Sequence, residues 1–184
     1  GVAEVSVFPQ PEADFNAPDV CSGFPTQFTD LSQNNGAEIV SWLWDFDDAD
    51  NTSVLQNPDY TFSSPGDYSV TLTIESSNGC ESYTQKTISV HPNPVSDAGP
   101  DQTINYGTST SLSGSATGGS GDYSYHWEPV NLVTDPASAQ TQTVNLDYAV
   151  DYYLEVTDNT TSCSHIDDVF VDITGAPLSV YVSA

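Results

Sequence analysis

The chain repeats itself, and that repetition restricts its fold more than any other feature. Trp44 lies 24 residues before Tyr68, and Trp127 lies 25 before Tyr152. Tyr68-x-Val-x-Leu72 is echoed by Tyr152-x-Leu-x-Val156. Cys80 follows Tyr68 by 12 residues, and Cys163 follows Tyr152 by 11. Ile88 and Val90 stand 8 and 10 after Cys80, as Val171 and Ile173 do after Cys163. Five features in one order describe a tandem array with a period of about 83 residues. His91-Pro-Asn-Pro94 separates the copies, and its two prolines make a stiff, extended joint. Pro9 and Pro11 hold the equivalent place before copy one, and Gly175-Ala-Pro177 follows copy two. Two domains are expected, residues 1–92 and 93–175. In residues 176–184, Leu178-Ser-Val-Tyr-Val182 alternates like the first strand of a following repeat or a strand donated to another chain. The chain thus reads as a piece of a longer row.

Within each copy the pattern is that of strands. Asp67-Tyr-Ser-Val-Thr-Leu-Thr-Ile74 and Thr84-Gln-Lys-Thr-Ile-Ser-Val90 alternate large apolar with small polar residues, as half-buried strands do. Ser77-Asn78-Gly79 between them is a hairpin turn, since Asn-Gly tolerates positive φ. No helical spacing is sustained, and Pro and Gly interrupt every long window. Copies of this size with short strands and Gly/Pro/Asn turns predict an all-β fold of two tandem two-sheet sandwiches. Val40, Trp42, Trp44 and Phe46 share parity and are expected on one face. Trp44 and Trp127, with Tyr68 and Tyr152, are the expected core anchors; burying one indole contributes about 3 kcal/mol. Pro65-Gly-Asp-Tyr68 is similar to the tyrosine corner of immunoglobulin-like sandwiches.

Charge excludes several functions. Among 184 residues, 26 are Asp or Glu and only Lys86 is basic, a formal charge of −25. Such a chain repels phosphate backbones and anionic lipid, so nucleic-acid binding is excluded. No apolar run of about 18 residues exists, so direct membrane insertion is not expected. No basic segment followed by an apolar one opens the chain, so any secretion signal is expected to have been removed or to lie upstream.

The stretch Trp42 to Asp50 places Asp45, Asp47, Asp48 and Asp50 among three aromatic residues. Catalysis would need two carboxylates facing one substrate in a cleft. Parity turns Asp45 and Asp47 away from the Trp44 face, and Asp48 and Asp50 fall in a turn, so no enzyme activity is expected. Asp48-x-Asp50-x-Thr52 mimics the start of an EF-hand loop, but Ser53 replaces the required glycine and no helices flank it. A solvated turn, with Asp45 capping nearby amides, is the expected arrangement. Gly118-Gly-Ser-Gly-Asp122 reads as a glycine-rich turn.

Copy one resembles a PKD domain, the immunoglobulin-like module named after polycystin. The resemblance rests on Phe28-Thr-Asp-Leu-Ser32, Ile39-Val-Ser-Trp-Leu-Trp-Asp-Phe46, Gln56-Asn-Pro58, Tyr60-x-Phe62 and Pro65-Gly-x-Tyr-x-Val-x-Leu72. Where the family signature reads Trp-Asp-Phe-Gly-Asp-Gly, this chain has Trp44-Asp-Phe-Asp-Asp-Ala49, so the turn is expected to differ. Copy two, through Gly118 to Trp127 and Tyr152 to Asp158, resembles the PKD-like repeats of Bacteroidota surface proteins. The resemblance implies an extracellular or cell-surface spacer, or an accessory module of secreted proteases and polysaccharide hydrolases. Tyr123, Tyr125, Tyr152 and Tyr153 are candidate contacts in the second case. A filament subunit is a third expectation. Neighbouring repeats, and an extracellular protein or polysaccharide, are the implied partners. Calcium is the one implied cofactor, with Asp30, Asn34, Asn35, Asp48 and Asp50 as candidate oxygen donors. The resemblance also implies a Cys21–Cys80 disulfide, contributing about 4 kcal/mol through its closed loop. Cys163 is then left over, because Ile104 stands where its partner would be.

Overall fold

The longest alternating runs form the longest strands. In the computed structural model, which describes residues 10–175, the chain divides between Pro92 and Asn93 into two units. The first contains β1 (Phe15–Asn16), β2 (Val20–Cys21), β3 (Thr26–Gln27), β4 (Thr29–Asp30), β5 (Ile39–Asp45), β6 (Thr52–Ser53), β7 (Asp59–Tyr60), β8 (Gly66–Ser76) and β9 (Glu81–His91). One sheet has the order β2-β9-β8-β5-β6. Its spine is the β8–β9 hairpin, in register from Gly66↔Val90 to Glu75↔Glu81, and β2 runs parallel to the end of β9. The opposing layer pairs β1 with β4 and β3 with β7.

Between the layers lie Phe15, Phe28, Trp44, Phe46, Phe62 and Tyr68, with Val70, Leu72 and Ile74 from the inward positions of β8. Trp44 is fully buried. Its ring packs against Phe15 and Phe28 at centroid distances of 5.1 and 5.3 Å. Its Nε1 donates to the Leu55 carbonyl at 2.8 Å, so the indole carries no orphaned donor into the core. The Tyr68 hydroxyl donates to the Ser64 carbonyl at 2.7 Å and ties the strand to the chain that feeds it.

One face assignment is corrected. Val40 does not share the Trp44 face; it is 52% exposed. The register between β5 and β8 shifts between Ile39 and Ser41, and the extra residue reverses parity on its N-terminal side. Ile39 packs against the core in its place.

The second unit contains β10 (Val95–Asp97), β11 (Gln102–Asn105), β12 (Ser111–Ser113), β13 (Ser115–Thr117), β14 (Tyr123–Glu128), a 3-10 turn (Val130–Leu132), β15 (Gln140–Gln142), β16 (Val150–Asp158) and β17 (Ser164–Thr174). Its main sheet has the order β11-β17-β16-β14, with β11 parallel to β17, and β10–β13 and β12–β15 form the other layer. Apart from β6, this is the pairing scheme of the first unit. Trp127 and Tyr152 are fully buried among Leu112, Leu146, Leu154 and Val169. Trp127 Nε1 donates to the Ser138 carbonyl at 3.0 Å, 11 residues downstream, the same separation as Trp44 to Leu55. Gly114 makes room for this indole. A Cβ there would stand 3.0 Å from the Trp127 ring and 2.6 Å from a Leu154 methyl.

Candidate functional site

The acidic stretch at the end of β5 is a folded turn whose four aspartates sit in different surroundings. Asp45 Oδ1 accepts the Asp47 N–H at 3.0 Å, and Asp47 Oδ2 accepts the Ser69 N–H at 3.1 Å. Asp50 is exposed. Asp48 corrects the expectation of a solvated turn, because its side chain is buried. It accepts the Ser63 hydroxyl at 2.6 Å, the Ser63 N–H at 2.8 Å and the Tyr60 hydroxyl at 2.9 Å. The two bonds from Ser63, with help from Tyr60, outweigh burial and hold the carboxyl below its ordinary range. Burial first, and then Asp48, pushes the Tyr60 hydroxyl up. Asp48 is therefore a clasp joining the β5 turn to the approach to β8, since three donors compensate its desolvation.

The turn keeps the backbone that the missing glycines would adopt. Asp47 and Ala49, which stand where the family signature has glycine, have φ of 56° and 49°. An L-residue in that region costs about 1–2 kcal/mol. Ala49→Gly should therefore stabilise the first unit by about 0.5–1 kcal/mol, after allowing for the greater freedom of glycine in the unfolded chain. Urea denaturation gives the sign; a lower midpoint for the glycine variant contradicts the strain.

Of the residues named for calcium, Asp30 and Asn34 line one cleft, and Asp48 and Asp50 lie in the turn after β5. Asp30 Oδ2 accepts Trp42 Nε1 at 2.7 Å and Gln56 Nε2 at 3.0 Å, and Oδ1 accepts the Ser32 N–H at 3.0 Å. Burial raises the Asp30 pKa, yet the bonds from Ser32, Gln56 and Trp42 together bring it below the ordinary range. Asn34 Oδ1 faces the Gly36 N–H, and Asn35 Nδ2 donates to the Gln10 carbonyl at 3.1 Å. Asp48 is committed inside its clasp. Calcium takes six to eight oxygens; among the described residues no three His, Cys, Asp or Glu side chains gather so as to hold a metal. Asp30 and Asn34 instead share one cleft with Trp42.

The cysteine expectation is overturned. Cys80 is a free thiol, and Cys21 and Cys163 each take part in a disulfide. Cys21 pairs with His91 at one end of β9, whereas Cys80 immediately precedes Glu81 at the other end. Eleven extended residues place them roughly 35 Å apart, against the 4.4–6.8 Å Cα spacing that a bridge requires. Cys163 is accordingly not left over. Alkylation before reduction should modify Cys80 alone, and all three cysteines after it; mass mapping that finds Cys21 or Cys163 labelled without reductant contradicts the assignment.

The glycine-rich turn before β14 contains a second buried carboxylate, which sequence reasoning missed. Asp158, at the end of β16, is fully buried and accepts the Ser120 N–H and hydroxyl, with further bonds from the Thr160 and Thr161 N–H groups at 2.9 and 3.3 Å. Elsewhere in the second unit Ser96 Oγ meets His165 Nδ1 at 2.7 Å, tying β10 to β17, and Asp167 of β17 accepts the Ala98 N–H just beyond β10. Of the four tyrosines, Tyr152 is core, Tyr123 and Tyr125 are half-buried and Tyr153 is exposed.

The sequence of the first unit is similar to that of known proteins. Residues 8–92 match the family model of the PKD domain. The collagenase ColQ1 of Bacillus cereus (strain Q1) is 32% identical over 95 residues, covering 50% of this chain and 10% of the collagenase. The pre-pro-metalloprotease PrtV of Vibrio cholerae serotype O1 (strain M66-2) is 34% identical over 85 residues, covering 46% of this chain and 9% of PrtV. The crystal structure of the PKD1 domain from Vibrio cholerae PrtV is 33% identical, with a TM-score of 0.41, covering 45% of this chain and 98% of that one. Each match thus spans about a tenth of the curated relative's length.

Proposed function

We propose that the chain is a non-catalytic, extracellular accessory segment of a larger protein, two PKD-type sandwiches in tandem that space a functional head from its anchor. The observation carrying this reading is the match of residues 8–92 to the PKD domain and to about a tenth of a collagenase and a metalloprotease. The second unit repeats the pairing scheme of the first, which supports reading it as a further copy. Disulfide-bonded cysteines suit an oxidising exterior. The buried carboxylates Asp48 and Asp158 are spent on internal hydrogen bonds rather than aimed at a substrate. Among the described residues no helix is long and apolar enough to cross a membrane.

Activity assays on the isolated chain test the proposal. It is expected to turn over neither gelatin, casein nor soluble polysaccharide; turnover by the purified chain overturns it. A spacer must also survive proteases. Lys86 is the single tryptic site. It lies within β9 opposite Val70, and its ammonium group bonds Asp14 at 2.7 Å and the Phe15 carbonyl. Native chain should stay intact under trypsin and split after Lys86 only once unfolded, as gel electrophoresis before and after heating will show.

A further inference from the structure

We infer that the outward face of the β16–β17 hairpin in the second unit is a docking surface for a basic, partly apolar segment of another protein. The inference does not depend on the spacer reading. Alternation along the two strands sends Tyr152, Leu154, Val156, Val169 and Val171 into the core, so the residues between them face away from it. Three cross-strand pairs meet there: Asp151 with Phe170, Tyr153 with Asp168, and Glu155 with Ile166. Tyr153 is 50% exposed, Ile166 57% and Phe170 36%. Tyr153 lies diagonally between Ile166 and Phe170, at the roughly 7–8 Å spacing of such neighbours. The three form an oblique apolar ridge with a carboxylate opposite each member.

The first unit shows that the fold does not require this arrangement. Counted from Tyr68 and Tyr152, which hold the same place in the two sheets, the corresponding pairs are Asp67 with Ser89, Ser69 with Thr87, and Thr71 with Gln85. There the pairs are small or polar and bond across the strands. Ser89 Oγ donates to Asp67 at 2.7 Å, and Gln85 Nε2 donates to Thr71 Oγ1 at 3.3 Å. In the second unit each pair instead sets a carboxylate against an apolar or aromatic side chain. Among the described residues no group donates a hydrogen bond to the carboxylate of Asp151, Glu155 or Asp168, whereas Asp48 and Asp158 are filled by internal donors. Exposed apolar side chains beside unengaged carboxylates add nothing to the sandwich that Ser, Thr and Gln do not supply. They become favourable contacts only against a partner.

Charge decides the class of partner. β14 adds Glu128 opposite Tyr153 and His126 opposite Glu155, and the His126 and Glu128 side chains meet at 3.2 Å. No Lys or Arg lies on this face, since Lys86 belongs to β9. An acidic partner would be repelled, and a second copy would bring another charge of −25 to the same surface. A segment that alternates Lys or Arg with apolar residues satisfies both features at once. Its cations meet Asp151, Glu155 and Asp168, and its apolar side chains cover the ridge of Tyr153, Ile166 and Phe170.

The test is a titration of the isotope-labelled full chain with a peptide of about eight residues that alternates Lys with Leu, long enough to span the hairpin when extended. Control peptides replace Leu by Ser, or Lys by Glu. The Lys-Leu peptide should shift backbone amides of β16 and β17 more than those of β8 and β9, with a dissociation constant below about 1 mM at about 0.15 M salt. The Lys-Ser peptide should bind about tenfold more weakly, and the Glu-Leu peptide not at all. Giving the second unit the residues of the first, as Tyr153→Ser, Glu155→Thr, Ile166→Gln, Asp168→Thr and Phe170→Ser together, should weaken binding by about tenfold or more. Tyr153→Ser alone, a single exposed change, should weaken it severalfold. Asp50→Asn with Asp59→Asn, which removes the same charge from exposed positions of the first unit, should leave it unchanged. Shifts spread evenly over both units overturn the inference, as do equal binding of the Lys-Ser peptide and undiminished binding by both second-unit variants. So do shifts at β16 and β17 that come from concentrating the chain alone, or from a neutral oligosaccharide and not the peptide. None of these results touches the spacer reading, which fails only if the chain shows turnover.

Discussion

Trp44→Ala removes most of the stability of the first unit. The side chain is 0% exposed, and its ring is held between Phe15 and Phe28. Truncating a buried Trp costs about 3–5 kcal/mol. A single domain has about 5–15 kcal/mol in total, and one of this size lies at the lower end. The urea midpoint of the first unit should fall by about 2–5 M, taking a slope of about 1–1.5 kcal/mol per M. Trp44→Phe separates packing from hydrogen bonding: it keeps an aromatic ring but leaves the Leu55 carbonyl without its donor. Its expected cost is about 1–2 kcal/mol. Trp127→Ala should do to the second unit what Trp44→Ala does to the first. If the alanine variant of Trp44 unfolds within about 0.5 M of the parent, the indole is not the keystone of the sandwich.

Asp158→Asn and Gly119→Ala should each lower the melting temperature of the second unit by breaking one cradle from opposite sides. Asp158 faces donors only: the Ser120 N–H and hydroxyl, and the N–H groups of Thr160 and Thr161. An asparagine would turn an NH₂ group toward some of them. Gly119 has φ of 56°, and a Cβ there would lie 2.4 Å from Asp158 Oδ2. Alanine would therefore be strained in backbone and pressed against the carboxylate. Because both changes strike one group, the double variant should lose less than the sum of the single losses.

The same cradle determines an acid limit. The Ser120 N–H and hydroxyl are the main cause, with Thr160 and Thr161 assisting against burial, of an Asp158 pKa lowered from 3.8 to about 2. A carboxylate held lower in the folded state than in the unfolded chain contributes stability above pH 3.8, and that contribution is lost as pH falls toward 2. Asp48 and Asp30 are lowered as well and act in the same direction. Above this window, protonating exposed carboxylates relieves self-repulsion at −25 and opposes any loss. Thermal melts should therefore show stability falling steeply only in strong acid, with a shallower fall for Asp158→Asn in the second unit. An unchanged acid limb in that variant would falsify the assignment of the limb to this carboxylate.

Much of the fold was legible because strand geometry is local. Alternation along Asp67 to Ile74 placed Val70, Leu72 and Ile74 inward without knowledge of what they would meet. The Val40 error came from one inserted residue, invisible as a change in residue type and detectable only against β8. The candidate site was less legible. Asp48 and Asp158 look in sequence like other acidic turn residues. Their burial depends on Ser63 and Ser120, which lie 15 and 38 residues away along the chain. The run Gly118-Gly-Ser-Gly-Asp122 was read as a turn, but nothing in it indicated the carboxylate it would enclose. Parity along β5 places Trp42 toward the core, but the hydrogen bond from its indole N–H to Asp30 arises only when the fold brings the two together.

The order of residues alone determined the period, the strands, the two indoles at equivalent places and the acidity, since each follows from side-chain alternation, spacing or composition. Tertiary structure alone decided which cysteines bond, which aspartates leave water and where a cleft opens. Those outcomes depend on which strand ends meet, and β2 finds the end of β9 across 70 residues of chain. Covalent geometry fixes which way a side chain points along a strand, but only packing fixes what waits there.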